Sequence, residues 1–138
     1  MSDKMISWTI NNSVKRRKSR EVSVGNIGIG GCNPVRIQSM TNTDTMDTDA
    51  TVQQCMRLVD SGCELVRITA SNVQAAENLY NIKNELAKKN YNIPLIADIH
   101  FNPKAAEVAA AIVDKVRINP GNYTDRNTSK TEYSQQEY

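Results

Sequence analysis

The 138-residue sequence has one histidine, one tryptophan, one phenylalanine and only three cysteines. Aromatic residues are 5% of the chain against 39% hydrophobic residues in all, so any core must be aliphatic, as suits a globular α/β protein. No apolar run reaches the ~18 residues that a membrane span needs. The N-terminus lacks the apolar stretch of a signal peptide. Cys32, Cys55 and Cys63 are odd in number and follow no framework spacing, which argues for free thiols in a reducing compartment. The expected location is cytoplasmic, and the Asn-x-Ser/Thr triplets at Asn11, Asn122 and Asn127 then carry no glycosylation meaning. Scattered thiols and a lone histidine offer no metal or cluster ligand set. The glycines of "VGNIGIGG" do not fit G-x-G-x-x-G, and no helix follows them directly, so they read as turn chemistry.

The formal charge of +2 is unevenly spread. Residues 1–20 hold six Lys or Arg against one acid, whereas residues 21–138 hold eleven against fourteen. The body is mildly acidic, which excludes general nucleic-acid binding by the fold. The basic arm reads as a polar lead-in.

What is present is a rhythm. "REVSVGNIGIGG" alternates around Gly25-Asn26, which predicts a β-hairpin over residues 21–33. "PVRIQSMT" (34–41) reads as a strand, followed by a helix from about Asp49 to Ser61 with Gly62 as its stop. "ELVRIT" is a second strand. A helix follows, with a capping box from Ser71 to Gln74 and a stripe of Val73, Ala76, Leu79 and Leu86. "LIADIH" is a third strand, then a helix capped by Asn102 with Pro103 at its first position. "VDKVRIN" is a fourth strand, and residues 124–138 form a polar tail. Repeated βα units joined by short loops imply a parallel sheet.

Strand parity decides between architectures. Val35, Ile37, Val66, Ile68, Leu95, Ala97, Ile99, Val116 and Ile118 make one aliphatic set. The opposite parity carries Arg36, Gln38, Met40, Leu65, Arg67, Thr69, Ile96, Asp98, His100, Lys115, Arg117 and Asn119, its polar members gathered toward the C-terminal strand ends. A doubly wound sheet wants both faces apolar, whereas a barrel can hold polar groups at the C-terminal mouth of its strands. Residues 34–123 therefore read as the first half of a (β/α)8 TIM barrel. Two arginines on separate strands would repel each other without an anion between them, so Arg67 and Arg117 point to a phosphate or diphosphate. A purely structural Arg67–Asp98 pair is the competing reading. His100 stands where a general acid/base or a substrate hydrogen bonder would stand.

"VRIQSMTNTDTMDTDATVQQ", "GCELVRITA", "IPLIADIHFNPKAA" and "KVRINPGN", in this order, resemble the N-terminal barrel of the 4-hydroxy-3-methylbut-2-en-1-yl diphosphate synthase family. The resemblance runs from about Arg16 to Tyr123. It implies an oxidoreductase of non-mevalonate isoprenoid biosynthesis that reductively opens 2-C-methyl-D-erythritol 2,4-cyclodiphosphate. It implies ferredoxin or flavodoxin as electron donor and a [4Fe–4S] cluster on a separate C-terminal domain. It assigns Arg67 and Arg117 to the diphosphate, with Asn119 nearby and Gln38, Met40 and His100 at the mouth beside Asp98. "NPGNYTDR" is similar to the long form of the family, which carries an inserted domain. Four strands are half of a closed barrel, so the chain reads as a fragment, inactive and cluster-free by itself and prone to homo-oligomerise. A pterin-binding barrel of the dihydropteroate synthase type and a non-catalytic interaction module are the alternatives.

Overall fold

The computed structural model describes residues 17–123. Most of the basic arm and all of the polar tail lie outside the described residues. The chain opens with a hairpin of β1 (Val22–Val24) and β2 (Ile27–Ile29), antiparallel across Gly25-Asn26 as the alternation implies. Gly25 has φ +58, and a Cβ there would stand 2.9 Å from Pro94 Cγ, so glycine suits the turn on both counts.

The remainder alternates strand and helix: β3 (Gln38–Met40), α1 (Thr48–Asp60), β4 (Leu65–Ala70), α2 (Val73–Lys88), β5 (Leu95–Ile99), α3 (Pro103–Ala110) and β6 (Lys115–Arg117). A single 3-10 turn, Pro120–Asn122, follows. The strands form one parallel sheet in the order β3-β4-β5-β6, as successive βα units of a barrel do. The α/β half-barrel with a leading hairpin is thus the observed fold.

The helices end where local chemistry requires. Asp47 caps α1 by accepting from Ala50 N at 2.9 Å. The chain leaves α1 through Gly62, whose φ of +95 an L side chain rarely adopts. Asn102 caps α3, accepting from Ala105 N at 3.1 Å, with Pro103 behind it. The capping box over Ser71–Gln74 does not form. Asn72 is the cap, accepting from Ala75 N at 2.8 Å. Its Oδ1 takes the amide three residues on, so the helix begins one residue later than a Ser71 cap would set it.

One strand parity packs under the helices. Val66, Ile68, Ala70, Leu95, Ala97 and Ile99 are buried with Val52, Cys55, Leu79, Ile82 and Leu86. The opposite parity is apolar only at its base, where Leu65 and Ile96 pack on Val24 of the hairpin. Burial of an aliphatic side chain is worth ~2 kcal/mol, so this outer layer carries most of the stabilisation.

The first strand departs from expectation. Regular pairing covers only residues 38–40 of the expected 34–41. Val35 is 98% exposed and Ile37 61% exposed, although both belong to the aliphatic parity. Edge position explains this: β3 has a neighbour on one side only, and no helix covers its far side among the described residues. A side-chain clamp joins the backbone bonds that Ile37 O accepts from Glu64 N and Leu65 N. Glu64 accepts from Ile37 N at 2.8 Å and from Arg36 Nη1 at 2.9 Å, and Arg36 Nε donates to Gly28 O at 3.0 Å. No helix among the described residues is long and apolar enough to cross a membrane.

Candidate anion-binding site

Register sets the height of each inner side chain. Met40 lies level with Arg67, Thr69 with Asp98, and Asp98 with Arg117. Three charged or titratable side chains, Arg67, His100 and Arg117, gather there around one carboxylate. Asp98 is 3% exposed. Its Oδ1 accepts from Arg117 Nη1 at 3.1 Å. Its Oδ2 lies 3.6 Å from Arg67 Nε and 3.3 Å from His100 Nε2. A buried carboxylate is costly unless paired, and two strand-borne arginines, with His100 just past β5, meet that requirement.

Arg67 makes a second, uncharged contact. Its Nε and Nη2 both lie 3.4 Å from Met40 Sδ. The structural Arg67–Asp98 pair exists, but as a longer contact without a hydrogen bond, while Arg117 takes the closer one. Neither arginine has the carboxylate to itself. His100 aside, two guanidinium groups and one carboxylate leave the cluster at one net positive charge. Among the described residues, Nη1 of Arg67 and Nε and Nη2 of Arg117 have no protein partner. The guanidinium groups are about a third exposed, so they can meet a ligand from solvent.

The mouth has a built rim. Thr45 is 6% exposed and donates to Thr69 O at 2.6 Å. Gln54 holds the preceding loop, accepting from Asn42 N at 3.0 Å and donating to Asn42 Oδ1 at 2.7 Å. Asn78 donates to Thr45 O at 2.7 Å from inside α2. An open hollow of about 210 Å³ lies between these loops, lined by Thr43, Thr45, Thr69 and Asn72 among others. Sequence reasoning passed over Thr45, Gln54 and Asn78. A polar loop directly after a barrel strand was the available signal for the first.

Gln38 stands below this cluster, and Asn119 lies just past the end of β6. Gln38 is level with Leu65, at the hairpin end of the sheet, and lines a separate hollow of about 410 Å³ with Gly30, Gly31 and Lys115. Parity put it on the correct face and register puts it at the wrong height. Asn119 is exposed and uses its Oδ1 to accept from Gly121 N at 3.2 Å, capping the turn after β6. The structure brings Met40, Arg67, Asp98, His100 and Arg117 together, without Gln38 and Asn119.

The thiols do not fit an iron–sulfur cluster. Cys55 is fully buried in the apolar layer, where burial pushes its thiol up to about 12. Cys63 is also buried and donates to Leu65 O at 2.9 Å, and Cys32 is exposed beside the hairpin. Cluster iron takes thiolates, and among the described residues no three Cys, His, Asp or Glu groups gather for a metal.

The family model for the GcpE TIM-barrel domain matches residues 19–135. A curated relative from Bacteroides thetaiotaomicron, 4-hydroxy-3-methylbut-2-en-1-yl diphosphate synthase (flavodoxin), is 56% identical over 125 residues. That alignment covers 89% of this chain and 20% of the relative. The synthase (flavodoxin) of Akkermansia muciniphila is 52% identical, over 89% of this chain and 21% of its own. The chloroplastic synthase (ferredoxin) of Oryza sativa subsp. japonica is 48% identical, over 90% and 17%. The chain thus spans about a fifth of the length of these relatives. Because the family match takes in the hairpin, all four parallel strands and the three helices, the chain belongs to the GcpE TIM-barrel family.

Proposed function

We propose that this chain is the diphosphate-binding part of an enzyme that reductively opens 2-C-methyl-D-erythritol 2,4-cyclodiphosphate to 4-hydroxy-3-methylbut-2-en-1-yl diphosphate. The observation that carries this reading is the sharing of Asp98 by Arg67 and Arg117, which leaves one positive charge and several guanidinium N–H groups at a strand-end mouth. A diphosphate supplies the missing charge and accepts forked hydrogen bonds from both side chains. The names of the relatives, over a fifth of their length, support the same substrate class.

In this reading Arg67 and Arg117 bind and orient the diphosphate, and Asp98 holds the two guanidinium groups apart at fixed directions. His100 meets Asp98 through Nε2 at 3.3 Å, and its other ring nitrogen, Nδ1, is assigned to a substrate hydroxyl. Opening the cyclic diphosphate takes up two electrons and two protons and releases one water. Flavodoxin or ferredoxin is the proposed electron donor of the whole enzyme. Free thiols fit a cytoplasmic setting.

Calorimetric titration with the cyclodiphosphate and, separately, with a pterin tests the assignment. Uptake of the cyclodiphosphate with no pterin binding is expected. Preferential pterin binding would transfer the mouth to the dihydropteroate synthase type of barrel.

A further inference from the structure

We infer that Met40 is a positioning residue for Arg67, an inference that rests on the diphosphate reading above and goes one step further into the same site. Parallel register sets Met40 beside Arg67. Its sulfur lies 3.4 Å from both Nε and Nη2 of that arginine. These two nitrogens share one edge of the planar guanidinium, so a single atom bridging them fixes the rotation of the plane as well as its place.

Asp98 does not do this alone. It reaches Arg67 only through Nε at 3.6 Å and forms its hydrogen bond with Arg117 instead, at 3.1 Å. The chemistry of the thioether matters here. Sulfur is a weak acceptor with no charge. It satisfies an N–H edge that a leucine would leave bare, yet it does not neutralise the guanidinium as a carboxylate at position 40 would. Arg67 is therefore oriented and still cationic, with Nη1 and the outer N–H of Nη2 directed to an incoming phosphate oxygen.

The test uses the full chain, inorganic pyrophosphate as the probe, and two variants. Met40→Leu keeps the volume and removes the acceptor, and such swaps are well tolerated in packed sites. Met40→Gln restores an uncharged acceptor. Pyrophosphate affinity should fall about fivefold in Met40→Leu, the equivalent of one modest hydrogen bond, and largely return in Met40→Gln, with melting temperatures close to wild type. Without ligand, the Arg67 Nε–H should exchange faster with solvent in Met40→Leu and slow again in Met40→Gln. Equal affinity and equal exchange in wild type and Met40→Leu would overturn the role of Met40. A wild-type chain that takes up no pyrophosphate would remove the diphosphate reading instead, and the Nε–H exchange would still decide whether Met40 holds Arg67.

Discussion

Arg117 on β6 and Asp98 on β5 are direct register partners, joined at 3.1 Å between Nη1 and Oδ1. The same carboxylate reaches back to Arg67 on β4, so one buried acid ties three adjacent strands at the C-terminal end of the sheet. This contact sets both the stability of the mouth and its surplus charge.

Replacing Asp98 with Asn should therefore destabilise the fold. Removing one partner of a buried pair costs ~3–5 kcal/mol, and the partial exposure of both arginines reduces this to roughly 1–3 kcal/mol. Urea unfolding measures it. A variant as stable as wild type would mean that the arginines do not depend on Asp98.

Asn78 lies inside α2, 9% exposed, and holds Thr45 O at 2.7 Å and Thr48 Oγ1 at 2.9 Å. Asn78→Ala leaves that buried carbonyl bare, which costs ~1–3 kcal/mol. Hydrogen exchange of the loop over residues 41–47 should accelerate together with the drop in melting temperature. Loss of stability without any change in the loop would separate the two effects.

Glu64 gives the fold a pH dependence. The Ile37 N–H, and after it the Arg36 guanidinium, hold its carboxyl below the ordinary value of 4.5. A depressed folded-state pKa contributes stability that is present above the ordinary value and is lost as pH falls through the folded one. Denaturant midpoints measured from neutral pH down into that acid range should fall further for wild type than for Glu64→Gln. Parallel curves would remove Glu64 from the account.

Both sheet edges are open among the described residues, since β3 and β6 each pair on one side only, with Val35, Ile37 and Ile118 exposed there. Such edges recruit other strands. Sedimentation of the 138-residue chain should show self-association that Ile37→Lys weakens. A monodisperse monomer at high concentration would contradict this.

Much of this was legible in the sequence because the signals are local. Period-two alternation located β4 and β5, Gly62 ended α1, and Asn102-Pro103 opened α3. Parity also placed Arg67, Asp98 and Arg117 on one face. What it could not supply was height along the strand. Gln38 and Met40 share a face, but only register with β4 shows that one sits over the hairpin and the other beside Arg67. The exposure of Val35 and Ile37 was illegible for a similar reason, since it depends on what neighbours an edge strand. Asn119 lies two residues past Arg117, and its Oδ1 serves its own turn, a local competition that strand parity does not register.

The central claim is that Arg67 and Arg117 form an anion seat, and one paired measurement tests it most directly. Cyclodiphosphate affinity and melting temperature are determined for wild type, Arg67→Ala and Arg117→Ala. Each charged contact is worth ~1.5–3 kcal/mol, so each variant should bind roughly 10- to 150-fold more weakly while losing no more stability than the roughly 1–3 kcal/mol expected for Asp98→Asn. Unchanged affinity with a large drop in melting temperature would show that the arginines hold the barrel together and bind nothing.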